Sequence, residues 1–459
     1  MVGALLVLCP VFVNAQGTAK SGPSQTQSAK TGTQSKSSNT GPKFKELITE
    51  EEEEKLLNQI KSKYTLILLQ GKSDSESIRV IQKWARLKLY SMTRTANRGK
   101  LHEIRDEILR RIRSSGQILA RANPAAGRRF REIVCKAVAE RASELLDNHF
   151  AVRLNAILIL SQMNVVERDL VKGTLPVAYI PAADILIRKV LKDPTQPQAV
   201  LIVAVNAIRR LALLGEPNTA QRRAMANALI PILKNKKYHS WLLSRTAEAL
   251  GAVGVKTDLS GRASIVQILM QTMVDKSVPP QVRSYAAKAL GRTELAPNVD
   301  VSVITFEITD LTRQLAERYN AELKTNRVAT HWPGTFYNIH LAFYPASKDE
   351  VKLYGSRAPG LLSRYKGKAF VEQPYQKIKP VLKYMIFQPV LLNPEEKDKL
   401  KRKYRYNPIK GNLITDIATW QSNNRPSATS VQPGLPSYRA AENTVSAKTN
   451  GRSPVTAKP

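Results

Sequence analysis

From about residue 44 to residue 323, apolar residues return every three or four positions, the period of helices with one buried face. Ile78, Ile81, Trp84, Ala85 and Leu89 mark one such face, preceded by a capping signature at Ser73-Asp74-Ser75-Glu76. Leu101, Ile104, Ile108, Leu109 and Ile112 mark the next. Its charges are spaced for i,i+4 pairing, Asp106 with Arg110 and Glu107 with Arg111, each pair worth about 0.2–0.5 kcal/mol. Thr49-Glu50-Glu51-Glu52 reads as a capping box. The further acids fall in the first turn, where the helix dipole favours negative charge.

Beyond residue 123 the pattern repeats. Val152–Leu160, Val203–Leu211, Leu242–Leu250 and Val282–Leu290 share one arrangement, and their terminal leucines lie 51, 39 and 40 residues apart. Small residues one turn before each leucine (Ala156, Ala207, Thr246, Ala286) suit closely stacked helices. Gly251 and Gly291 are placed as helix ends. An amphipathic stretch precedes each segment, at Arg128–Leu146, Ala182–Leu191, Gln221–Leu233 and Ser264–Val274. One such pair cannot bury its own apolar face, so neighbours must cover one another.

These segments resemble the HEAT-repeat family in its short bacterial form. The residues that carry the resemblance are Asp147, followed six positions on by Arg153 with Val152 beside it, and the pair Val282-Arg283. In that family an Asp in the turn and an Arg on the second helix form a ladder along the stack. The resemblance therefore implies a ladder through Asp147, Arg153 and Arg283. Asp275 stands two residues too far from Arg283, across Val278-Pro279-Pro280, and the middle segments lack the Val-Arg pair.

The fold expected is all-α: an α-solenoid of about four HEAT-like helix pairs over 123–295, a helical region over 44–122, and a less regular helical region over 296–421. The last is a C-terminal domain or an atypical cap. Residues 16–43 read as a disordered linker and 422–459 as a disordered tail. Val2–Val13 followed by Val13-Asn14-Ala15 has the shape of a signal peptide over residues 1–15, although no Lys or Arg precedes the apolar run. No other stretch is apolar for long enough to cross a membrane.

Composition adds one constraint. Lys and Arg number 71 against 37 acids, a net charge of +34, which attracts polyanions or an acidic protein. Arg209, Arg210, Arg222 and Arg223 stand on the repeat helices with Arg245 and Lys288, and would line a positive groove if several faced one surface. A second basic group, Lys401, Arg402, Lys403 and Arg405, is interleaved with Tyr404 and Tyr406; it reads as a cationic helix end or as a stacking surface for bases.

Chemistry is sparse. At Gly71-Lys72-Ser73, Leu66 occupies the place of the first glycine of a phosphate-binding loop. The five histidines lack carboxylates or thiols at ligand spacing, and His331 and His340 alone share a neighbourhood. Cys135 reads as a small apolar helix residue. The expectation is a non-catalytic binding scaffold without a cofactor. It would be exported to the periplasm, envelope or medium, where it would bind a protein or an anionic polymer. Nucleic acid is the second candidate partner, and an accessory role beside an enzyme the third.

Overall fold

The computed structural model describes residues 44–325, 331–355, 357–387 and 408–426. The expected signal peptide, the linker, the group Lys401, Arg402, Lys403 and Arg405, and nearly all of the expected tail lie outside these residues. The described residues are overwhelmingly helical, and their helices pack against their neighbours.

The N-terminal region holds α1 (Glu50–Ile60), α2 (Tyr64–Gln70), α3 (Ser75–Ser91), α4 (Leu101–Ser114) and α5 (Gln117–Ala122). The capping box forms at Thr49 and Glu52 as the sequence predicts. The cap of α3 falls one residue later than predicted. Asp74 rather than Ser73 accepts from the Ser77 amide, because a carboxylate at that position also takes the Ser77 hydroxyl. Nor do the predicted ion pairs along α4 form. Asp106 pairs with its neighbour Arg105, Glu107 pairs with Lys88 on α3, and Arg111 lies over the ring of Tyr64. For Glu107 and Arg111 a partner on another helix replaces the local one. Gly71 ends α2 in the left-handed region at φ +76°, a helix stop in place of a phosphate loop.

Next come α6 (Pro124–Glu144), α7 (Phe150–Gln162), α8 (Ala182–Leu186, running into a π turn at Ile187–Leu191) and α9 (Gln198–Leu214). They are followed by α10 (Thr219–Lys234), α11 (Ser240–Val253), α12 (Ser264–Val274), α13 (Pro280–Leu290), α14 (Val301–Lys324) and α15 (Trp332–Phe343). Helix α7 packs on α9, α9 on α11, α11 on α13, and α13 on α15. In a second row α10 packs on α12 and α12 on α14, while α10, α12 and α14 each also touch the helix that follows. Leu160, Leu211, Leu250 and Leu290 are all fully buried, each such burial worth about 1.5–3 kcal/mol. Ala156, Ala207, Thr246 and Ala286 are buried with them, as close stacking requires.

Gly251 is not the helix end that its position suggested. Helix α11 runs on to Val253 and stops at Gly254, whose φ of +56° permits the left-handed turn. Gly251 serves packing: a Cβ there would lie 2.9 Å from the Ala289 Cα of α13. Gly291 does follow the last residue of α13, and it also faces α15, where a Cβ would lie 2.2 Å from the Ala342 carbonyl oxygen.

One feature departs from the all-helical expectation. Between α7 and α8 the chain forms an antiparallel ribbon of β1 (Asn164–Val166) and β2 (Val177–Ala178), extended by a bridge between Asp169 and Thr174. This insertion is why the first repeat spacing is 51 residues and the next two are 39 and 40.

The C-terminal region adds α16 (Lys348–Tyr354), α17 (Leu361–Arg364), α18 (Ala369–Phe387) and α19 (Gly411–Asn423). Helices α18 and α19 pack on α14, and α18 also on α15. Residues 422 and 423, expected in the tail, belong to α19. No helix among the described residues is long and apolar enough to cross a membrane.

Candidate binding surfaces

The last carbonyls of a helix have no partner within it, and cations are favoured beside them. This chain meets that need with arginine. Arg131 donates to the carbonyls of Arg113 and Ser115 at the end of α4. Arg210 donates to Ser161 near the end of α7, Arg222 to Val253 at the end of α11, and Arg283 to Met273 near the end of α12. Arg364 takes the carbonyls of Leu290 and Thr293 after α13, and Arg292 takes that of Tyr344 after α15. Burial pulls the Arg222 guanidinium down to about 10, and a neighbouring Arg357 adds to the fall.

Several cations read as a positive groove are thus engaged within the fold. Arg210 and Arg222 cap helices, and Arg223 donates to the Thr257 carbonyl. Arg209, Arg245 and Lys288 meet at Glu248, a buried carboxylate on α11. The distances to it are 3.5, 2.8 and 2.7 Å. Burial pushes the Glu248 carboxyl upward, but the pull of Lys288, then Arg209 and Arg245, overcomes it and holds the pKa at about 2. The same burial depresses the Lys288 ammonium against the pull of Glu248. With three cations around one carboxylate, the acid gains more from the cluster than any single cation does.

The ladder residues also take other partners. Asp147 pairs with Lys189 at 3.3 Å. Arg153 donates to the side chain of Gln196, in the turn before α9, and to the Asn148 carbonyl. Arg283 reaches Gln314 on α14. Each arginine bridges to the next helix pair through a glutamine, so hydrogen bonds stand where the resemblance implied an aspartate.

A cavity of about 670 Å³ opens between α10, α12, α14 and the turn after α12. Leu233, Ile268, Val278, Pro279 and Val282 give it an apolar wall. Asp275, Glu307 and Asp310 line it together with Lys234, Lys236 and Lys276, so neither sign of charge dominates. Gln314 donates to Asp310 and accepts from Arg283, which orders the polar side. The cavity's α14 residues are not among those the sequence points to, although Asp310 and Gln314 stand at i,i+4 on α14.

The cysteine and the two neighbouring histidines stand apart from one another. Cys135 is fully buried in α6, and burial pushes its thiol far above the usual range. His331 stacks on Trp332, while His340 Nδ1 contacts the Tyr375 hydroxyl at 3.2 Å. Glu322 lies near His331, but among the described residues no group of three or more His, Cys, Asp and Glu could hold a metal ion. Comparison with known protein families, curated proteins and solved structures finds no match for this chain.

Proposed function

We propose that residues 123–295 form a short α-solenoid of HEAT-like pairs and that the protein is a non-catalytic binding scaffold. The order of helix packing supports the solenoid: each repeat's second helix covers the next, and the row continues from α13 into α15. The observation that carries the binding reading is the cavity between α10, α12 and α14, whose wall is supplied by successive helix pairs. Its apolar wall and balanced charges fit an extended protein segment better than a polyanion.

The use of Arg210, Arg222, Arg223, Arg209, Arg245 and Lys288 inside the fold weakens the alternative of nucleic acid. Export, expected from residues 1–15, would place the scaffold in the envelope with an envelope protein as partner.

Selection of a random peptide library on the immobilised protein tests this reading. Enriched peptides should lose binding to the Val278→Arg variant and should hold their affinity as salt rises. Peptides indifferent to Val278→Arg, or tight binding of duplex DNA that falls steeply with salt, would overturn it.

A further inference from the structure

We infer that one edge of this protein docks peripherally on an anionic lipid surface through two loops, those after α7 and after α11. This proposal does not depend on the cavity, which opens elsewhere between α10, α12 and α14.

The first loop is the ribbon insertion, whose tip carries Leu170 and Val171, 78% and 97% exposed. The second, between α11 and α12, carries Leu259 at 86% exposure. Leu170 and Val171 adjoin at one tip and Leu259 stands at the other, the three most exposed large hydrophobic residues among the described residues.

Each loop is built to present them. Asp169 turns inward and accepts the amides of Val171 and Lys172. Asp258 does the same in the second loop, accepting from Ser260, Arg262 and Ser264, and those bonds overcome burial and hold its carboxyl far below the usual range. The acids are therefore spent inside the loops. The outward positions carry cations, all four exposed: Arg168 and Lys172 flank the first tip, and Lys256 and Arg262 flank the second, where they also meet Glu294 at 3.9 Å and Asp258 at 3.4 Å.

The two loops leave the same edge. Arg210, in the last turn but one of α9, reaches back to Ser161 at the end of α7, and Arg222 at the start of α10 reaches forward to Val253 at the end of α11. The ends of α7, α9 and α11 thus lie side by side. The ends of α7 and α11, from which the two loops spring, are two helix spacings apart, on the order of 16–20 Å. Separate apolar points at that distance make no continuous patch for a protein partner. A lipid interface admits each tip independently, and its acidic headgroups receive the flanking cations.

Co-sedimentation of the full-length chain with vesicles tests the proposal. One set is phosphatidylglycerol and phosphatidylcholine in equal parts, the other phosphatidylcholine alone. The protein should partition onto the first set. At a salt concentration that screens loose charges, the double change L170S and V171S should weaken partitioning about tenfold, and L259S should weaken it severalfold more. Because these positions are exposed, the variants should keep the wild-type circular dichroism spectrum. Equal binding by the triple variant would overturn the proposal, as would binding abolished by salt alone or no binding to either set. Peptide capture at the cavity should be unchanged in the triple variant, so the two readings fail separately.

Discussion

The Nη1 of Arg222 lies 2.6 Å from the carbonyl oxygen of Val253, joining the first turn of α10 to the last turn of α11, the other helix of the same pair. Its Nε also donates to Pro217, so one side chain closes the connection on both sides. Replacing it with methionine strands a helix-end carbonyl and should cost about 1–3 kcal/mol. Lysine should recover little, since a single ammonium cannot span both acceptors. Urea denaturation midpoints check this, and an unchanged midpoint for Arg222→Met would reject the capping role.

Glu248 should be the most sensitive acid in the repeats. Glu248→Gln leaves Lys288, Arg209 and Arg245 around a neutral group, and breaking such a buried pair costs about 3–5 kcal/mol. The pH dependence follows from the depressed pKa. The stabilisation is complete above the ordinary value of 4.5 and is lost as pH falls toward about 2. Thermal melts between those limits should fall more steeply for the wild type than for Glu248→Gln. Parallel slopes would sink the assignment.

Gly251→Ala should destabilise, although alanine is the better helix former by roughly 1 kcal/mol. The added methyl would meet the Ala289 backbone at 2.9 Å, so α11 and α13 must separate. A loss of about 1–3 kcal/mol is expected. A melting temperature above that of the wild type would show that the helices have room to spare.

Cys135 should resist thiol reagents in the native protein and react only on unfolding, because it is fully buried and its thiol is far from ionising. With Cys9, the chain's other cysteine, replaced by serine, labelling with a maleimide should track the unfolded fraction across a urea titration. Rapid labelling without denaturant would contradict the packing of α6.

Much of the helical content was legible because Ile, Leu and Ala return at one period from Ile78 to Leu323. The ribbon at 164–178 was not, since its strands are two or three residues long and give no alternation to detect. Its trace was the 51-residue spacing, an irregularity with a structural cause.

The charge cluster was legible in principle. Arg209, Glu248 and Lys288 each stand two positions before a terminal leucine, so stacking in register brings plus, minus and plus together. Read one at a time, the cations suggested a groove for an outside ligand. Asp147 and Arg153 misled differently, since their six-residue spacing is real but Lys189 and Gln196, from elsewhere in the chain, take the bonds. The cavity was invisible because its wall comes from residues far apart in sequence.

The arginines at helix ends carry an implication for how such chains grow. In the proposed solenoid, where joining one pair to the next consumes a guanidinium as Arg210 does, lengthening the array adds positive charge whatever the molecule binds. Part of this chain's high isoelectric point is then a by-product of its joinery, and related chains with more pairs should be more basic even when their ligands are neutral.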